Sequence, residues 1–202
     1  MYKIFANGGP LMWILFTMSI IVTSVVIEKL IYMFKTEKKY HRNFKKNIIE
    51  LISNNEISLA ISESENEKNA IGRTIKEFLI RMDIKGDIHH FEKLAREIEY
   101  KELEGIERHL HLIGIISVVS PMIGLLGTVT GMIEAFNQMA IHGAGDPNLV
   151  AGGISKALVT TAAGLIVAIP SMIMYNLLTT KANQISEEID KITTSVLNVI
   201  WR

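Results

Sequence analysis

Residues 110–136, LHLIGIISVVSPMIGLLGTVTGMIEAF, decide the fold, because Glu134 is the one Asp, Glu, Lys or Arg among them. Residues 11–27 contain no such charge, and residues 149–178 contain only Lys156. An apolar segment of about 18 or more residues with almost no charge is typical of a transmembrane helix. Three such segments predict an all-α membrane protein with three transmembrane helices.

The remaining composition excludes several functional classes. The chain has no cysteine, which excludes a disulfide framework and a thiol nucleophile. Lys plus Arg equals Asp plus Glu at 21 each, so the basic excess of a nucleic-acid-binding protein is missing. His109 and His111 are two apart on a predicted helix and face different sides, which makes them a poor metal pair. We expect no metal site, no cofactor and no enzyme activity.

The distribution of basic residues predicts the orientation in the membrane. Residues 11–27 are predicted to remain as an anchor, because they exceed the apolar core of a signal peptide and run into Glu28 and Lys29 without a small-residue cleavage site. Basic residues follow directly: Lys35, Lys38, Lys39, Arg42, Lys45 and Lys46. The connection at 137–148 has no Lys or Arg. The positive-inside rule therefore predicts that the segment after the first span is cytoplasmic.

The resulting layout has seven segments. It predicts an outward N-terminus at 1–10, transmembrane helices at 11–34, 109–136 and 149–180, a cytoplasmic helical segment at 35–108, an outward loop at 137–148 and a cytoplasmic helical tail at 181–202.

Apolar periodicity predicts that the second and third spans extend into the cytoplasm as long helices. Asp87 is placed to cap a helix whose apolar residues continue through the second span, which predicts one helix from about 87 to 137. The tail has a heptad-like stripe that predicts a helix to near Trp201: Ile185, Ile189, Ile192, Val196 and Val199. Residues 40–82 are predicted to form shorter helices, one at 70–82, with an interruption near 53–55.

Small residues recur along one face of the second and third spans, which predicts close helix packing. The glycines assigned to packing are Gly124, Gly127, Gly131 and Gly164. Thr128 and Thr161 share these faces. A threonine inside a span can bond its own helix backbone at i−4, or it can line a narrow polar path. Both interpretations of Thr128 and Thr161 remain open from the residues alone.

The antiparallel course of the second and third spans predicts a charge pair. If Thr128 and Thr161 lie at one level, Glu134 and Lys156 lie at a common level within one residue. Charged side chains inside a membrane are costly and commonly pair. An ion pair between Glu134 and Lys156 is therefore one hypothesis, and the alternative is that Lys156 extends to the outer interface.

Two motifs resemble the signature spans of the MotA/TolQ/ExbB proton channel family. They are GLLGTVTGM at 124–132 and GISKALVTTAAGL at 153–165, followed by Ala168-Ile169-Pro170 and Tyr175-Asn176. The chain is most similar to the ExbB/TolQ branch, since the MotA branch usually has four spans. One departure is Lys156, which stands where the ExbB pattern usually has glutamate.

This resemblance implies a subunit of an ion-driven motor in the bacterial inner membrane. It implies a homopentamer, set among membrane lipid, around an ExbD-like dimer whose single spans carry an aspartate that takes up and releases a proton. Ion flow would then drive outer-membrane transport through a TonB-like protein. Thr128 and Thr161 match the threonines that face this aspartate. The alternatives are a TolQ-type envelope-maintenance or gliding-type stator subunit, and a structural scaffold without ion flux.

Overall fold

The computed structural model describes residues 9–35, 37, 43–82, 88–142 and 147–200. Every regular element in these ranges is an α-helix: α1 (Pro10–Lys35), α2 (Phe44–Ser53), α3 (Ile57–Asn66), α4 (Ala70–Arg81), α5 (Ile88–Glu107), α6 (Leu110–His142) and α7 (Pro147–Ile200). Helices α1, α6 and α7 are long and apolar enough to cross a membrane. The predicted fold class is thereby confirmed. Asp87 and Trp201, which entered the helix predictions, lie outside the described residues.

The chain divides into two compact units. The first, which we call the span unit, consists of Met1–Ile27 and His109–Leu177. The second, which we call the loop unit, consists of Glu28–Arg108 and Leu178–Arg202.

The span unit turns many large apolar side chains outward. Leu125 is 62% exposed and Ile166 is 71% exposed. Such exposure is costly in water but not among lipid tails, which are as apolar as leucine. The helices also continue into the segment predicted as an outward loop, because α6 runs to His142 and α7 begins at Pro147.

The loop unit contains short helices whose ends are determined by local hydrogen bonds. Helix α2 ends at Ser53, and Asn55 follows in the left-handed conformation with φ 61°. The Glu56 N–H donates to Leu51 O, and the Asn55 N–H donates to Ile52 O. These two bonds form the Schellman motif that commonly ends a helix, with Asn55 as its left-handed residue. The predicted interruption near 53–55 is confirmed.

Helix α4 begins where Asn69 caps it. The Gly72 N–H donates to Asn69 Oδ1 at 2.9 Å, which satisfies one of the free donors of the first turn. The helix ends at Arg81, close to the predicted 70–82. Its apolar face is buried and includes Ile75 and Phe78, both 0% exposed.

A cluster of ionic bonds joins α4 to other parts of the loop unit. Arg73 Nη2 lies 3.1 Å from Glu37 Oε1 and 2.8 Å from Glu102 Oε2. The second oxygen of Glu37 accepts the Ala70 N–H at 3.0 Å, at the first residue of α4. Burial lowers the pKa of Arg73, but its hydrogen bonds to Glu102 and Glu37 outweigh this effect and leave the pKa raised. Arg73 is therefore a fixed cation shared by two carboxylates.

The apolar stripes predicted for α5 and the end of α7 are buried in the loop unit. In α5 they include Phe91 and Ile98, and in α7 they include Ile189 and Val196, all at most 2% exposed. These stripes supply the loop unit with an apolar interior. This is what the 3.6-residue periodicity of the two segments predicts.

The prediction of one helix from about 87 to 137 is wrong at Arg108 and His109. Helix α5 ends at Glu107, His109 has a left-handed φ of 68°, and α6 begins at Leu110. In a continuous helix the N–H of residue 109 would donate to the Gly105 carbonyl. Here Lys29 Nζ donates to Gly105 O at 3.1 Å. A lysine from α1 thus satisfies a carbonyl at the end of α5, and this long-range bond supports the break.

Candidate ion path between two membrane-spanning helices

Helices α6 and α7 approach so closely that backbone and small side chains make the contact. A Cβ atom added at Gly127 would collide with the Thr160 side chain. A Cβ added at Gly131 would lie 2.8 Å from Ala157 Cβ. Real Cβ atoms essentially never show separations below 3.0 Å, so both contacts require glycine at the current helix spacing.

The contact continues at the other two glycines assigned to packing. A Cβ added at Gly164 would lie 2.6 Å from the Ser120 carbonyl oxygen. A Cβ added at Gly124 would lie 3.1 Å from Thr161 Cα. The structure therefore brings all four glycines into one helix–helix seam, as small residues allow in membranes.

The two threonines predicted to line an ion path touch each other within this seam. Thr128 Oγ1 on α6 and Thr161 Oγ1 on α7 lie 2.7 Å apart. Thr161 Oγ1 donates across the seam to Gly124 O at 2.9 Å, and Thr128 Oγ1 lies 3.3 Å from the same carbonyl. Both residues are half-buried. The site is thus a pair of coupled hydroxyl groups on two helices.

The other span threonines bond their own helices. Thr160 is 1% exposed and its Oγ1 donates to Lys156 O at 3.1 Å. Thr130 Oγ1 donates to Leu126 O at 3.0 Å. For Thr130 and Thr160 these are the i−4 bonds expected of a threonine in a helix. Thr128 and Thr161 differ because their shortest bond joins two helices.

Glu134 of α6 and Lys156 of α7 also form an ion pair. Lys156 Nζ lies 3.1 Å from Glu134 Oε2, within the 4.0 Å separation of a salt bridge. The side chain of Lys156 is 35% exposed and that of Glu134 is 57% exposed. The aliphatic part of Lys156 also lies near Gly9, since a Cβ built there would be 3.4 Å from Lys156 Cε. Lys156 therefore pairs with α6 through its ammonium group and lies beside Gly9, the residue before α1, through its aliphatic part.

Gly114 packs against an aromatic ring, a contact that the sequence did not predict. A Cβ added at Gly114 would lie 3.0 Å from a ring carbon of Tyr175. The motif residue Tyr175 could have indicated such a partner, because a large ring beside a span needs a small residue opposite it. Ser120 and Ser171 are buried in the same unit, and each donates to a carbonyl of its own helix.

The chemistry available at the hydroxyl pair is limited to hydrogen bonding. Residues 112–133 of α6 and 157–174 of α7 contain no titratable side chain. The described residues contain no group of three or more His, Cys, Asp or Glu that could hold a metal ion. The pair can hydrogen-bond to a polar group of another molecule, but it has no acid of its own to carry a proton.

Comparison with known proteins gives this seam a family context. The model of the MotA/TolQ/ExbB proton channel family matches residues 62–191, which include the hydroxyl pair and all four packing glycines. The Tol-Pal system protein TolQ of Haemophilus influenzae is 42% identical over 100 residues, 46% of this chain and 43% of that protein. The biopolymer transport protein exbB1 of Vibrio cholerae is 41% identical over 106 residues, 48% of this chain and 45% of that protein.

A longer but weaker match covers the other segments too. A putative biopolymer transport protein ExbB homolog of Methanothermobacter thermautotrophicus is 28% identical over 191 residues, 94% of this chain and 66% of that protein. The matches to the TolQ and exbB1 proteins span less than half the length of those relatives. Because the family model covers well over half of the chain and includes both signature spans, the chain belongs to the MotA/TolQ/ExbB proton channel family.

Proposed function

We propose that this chain is an ExbB-like subunit of an inner-membrane, proton-driven motor that energises outer-membrane transport through a TonB-like protein. Membership of the family and relatives named ExbB and TolQ support a membrane channel or transport subunit rather than an enzyme. The observation that carries the proposal is the 2.7 Å contact between Thr128 and Thr161 in a seam without any titratable group at that level.

A proton path through this seam needs an acid from another chain. Glu134 and Lys156 are occupied with each other at 3.1 Å, and neither lies beside the hydroxyl pair in sequence. In the proposal, five copies of this chain surround an ExbD-like dimer, whose single spans bring an aspartate to Thr128 and Thr161. The aspartate carries the proton, and this chain provides the wall of the path.

Reconstitution in liposomes tests the need for the partner. We expect the purified chain to conduct few protons alone, and the complex with an ExbD-like protein to collapse a pH gradient reported by a trapped fluorescent dye. Full proton flux from this chain alone would contradict the proposal. Equal and negligible flux in both preparations would favour the structural scaffold instead.

A matched pair of variants tests the role of the hydroxyl pair. Thr161→Val removes the cross-helix bond, whereas Thr160→Val removes a bond that Thr160 makes to its own helix at Lys156 O. Both changes keep the side-chain shape. We expect Thr161→Val to reduce flux of the complex more than Thr160→Val, and the reverse order would remove the support that the geometry gives.

The proposed topology places residues 35–108 and 181–202 in the cytoplasm and residues 1–10 and 137–148 outside. A cysteine probe for this topology must be exposed; a buried position of the predicted cytoplasmic segment such as Ser64, which is 1% exposed, would react poorly. Cysteines introduced at Asn66 and Asn137, both exposed, should react from opposite sides of intact inner-membrane vesicles. Reaction from the same side would contradict the three-span topology.

A TolQ-type role in envelope maintenance is the second candidate, because a TolQ protein is among the similar relatives. Loss of the gene separates the two. The ExbB role predicts loss of energy-dependent uptake with an intact envelope, whereas the TolQ role predicts leakage of periplasmic proteins and sensitivity to detergents.

A further inference from the structure

Thr128 and Thr161 have only one hydroxyl proton each, and both protons already have acceptors nearby. Each hydroxyl has one proton and two lone pairs. Ala157 O lies 3.5 Å from Thr161 Oγ1 and offers that hydroxyl one more, longer contact within its own helix. The three nearer oxygens are the two Oγ1 atoms, 2.7 Å apart, and Gly124 O, at 2.9 Å from Thr161 and 3.3 Å from Thr128. Two arrangements of the protons connect these three atoms.

In the arrangement with the shorter bonds, Thr161 donates to Gly124 O and Thr128 donates to Thr161. In the other, Thr161 donates to Thr128, and Thr128 donates to Gly124 O across the longer 3.3 Å. Both arrangements use both protons inside the group of three oxygens. Only lone pairs are left to meet anything that approaches the pair from outside.

We infer that Thr128 and Thr161 form an acceptor-only site, which binds an un-ionised carboxyl group in preference to a carboxylate. This inference rests on the proposed function, which brings a partner's acid to the pair. A protonated carboxyl can donate its hydrogen to Thr128 Oγ1, but a carboxylate can only accept. For a carboxylate to receive a hydrogen bond, Thr128 must give up its bond within the group. A bond made only to the neutral form raises the pKa of the acid.

Other groups of the span unit do not reverse this preference. Residues 10–27, 112–133 and 157–174 contain no titratable side chain. Lys156, the nearest cation along α7, lies 3.1 Å from Glu134, so the charge that it presents is largely balanced. The protonation state of a visiting acid is therefore governed by hydrogen bonding and by the low polarity of the seam, and both favour the neutral form.

The unequal distances make the two threonines inequivalent. If Thr161 is replaced by Val, the Thr128 proton keeps only Gly124 O at 3.3 Å and becomes available to a carboxylate. If Thr128 is replaced by Val, Thr161 still donates to Gly124 O at 2.9 Å and its lone pairs stay open. In Thr161→Val, the Thr128 hydroxyl can therefore donate to a carboxylate. In Thr128→Val, the Thr161 hydroxyl keeps its own acceptor and can only accept from an approaching group.

The experiment titrates the partner's acid directly. The complex of the full chain with an ExbD-like protein carrying ¹³C-labelled aspartate is placed in liposomes, and the infrared band of the protonated carboxyl is followed against pH. We expect Thr161→Val to lower the pKa of the intramembrane aspartate by about one unit or more and Thr128→Val to lower it distinctly less. Thr161→Ser should keep the parent value, and Thr161→Ala should repeat the Val result if the Val variant does not assemble.

The pKa measurements test the acceptor-only site, and flux measurements test the proposed motor. Equal shifts in the Thr128 and Thr161 variants, no shift, or a raised pKa would overturn the acceptor-only site. Proton flux measured on the same liposomes tests the motor separately. A lowered pKa in Thr161→Val without flux in the parent complex would contradict the motor and support the acceptor-only site. Flux in the parent complex without a pKa shift in Thr161→Val would support the motor and contradict the acceptor-only site. Failure of any acid-bearing partner to bind would overturn both.

Discussion

Replacement of Arg73 by alanine tests how much the ionic cluster stabilises the loop unit. The change leaves Glu37, whose side chain is 3% exposed, and Glu102, at 14%, without their shared cation. Removal of one partner from a buried ion pair costs about 3–5 kcal/mol. Because the Arg73 side chain is itself 33% exposed, water screens part of this loss, and we expect about 2 kcal/mol.

Hydrogen exchange of the full chain in detergent micelles measures this loss locally. A change of about 2 kcal/mol corresponds to roughly 30-fold faster exchange, and it should affect the buried α4 amides of Ile75 and Phe78. Arg81→Ala is the matched control on the same helix, because its partners Glu77 and Glu97 are 27% and 65% exposed. Exposed pairs contribute little, so these amides should keep their protection in the control. Equal effects of the two variants would refute the assigned role of Arg73.

Three further predictions concern other contacts. Lys156→Glu should impair assembly or flux, and adding Glu134→Lys should partly restore it; a double variant no better than the single one would exclude the ion pair as the reason. Gly127→Val should reduce the recovery of assembled complex in detergent by forcing α6 from α7, whereas Gly105→Ala, with nothing within 4 Å of the added Cβ, should be recovered normally. A hydrogen bond from Lys101 of α5 lowers the pKa of Glu77, and burial, which alone would raise it, only partly offsets this effect. The stability that Glu77 contributes is therefore present above its ordinary pKa of 4.5 and lost as pH falls through the lower folded value; circular dichroism melts should show a smaller loss on acidification in Glu77→Gln.

The features of the span unit were accessible from the sequence because they depend on short-range patterns. Length and the lack of charge determine the spans, and the spacing of small residues indicates the seam. Because α6 and α7 are antiparallel, placing Thr128 opposite Thr161 also places Glu134 opposite Lys156. Both contacts are present, at 2.7 Å for the threonines and 3.1 Å for the ion pair. What these residues do in transport remains a prediction.

The features that escaped prediction depend on residues far apart in the sequence. Arg73 meets Glu37 and Glu102, which are 36 and 29 positions away, and no periodicity indicates such a cluster. The break at His109 contains neither glycine nor proline. It is supported by Lys29, which is 76 positions from the carbonyl that it contacts. In the sequence, Lys29 shows only where the first apolar segment ends, and nothing near it indicates a bond to α5.

The break at His109 also bears on how the gene can change in length. Within an uninterrupted helix, one inserted residue rotates everything after it by about 100° and so turns a buried stripe toward the outside. Between α5 and α6 the left-handed residue ends one helical phase and begins another. Insertions and deletions at the junction of Arg108 and His109 can therefore be absorbed without turning Thr128 away from Thr161. Helix α7 continues from Pro147 to Ile200 without such a left-handed residue, so homologous sequences should show length variation at the junction of Arg108 and His109 and almost none within α7.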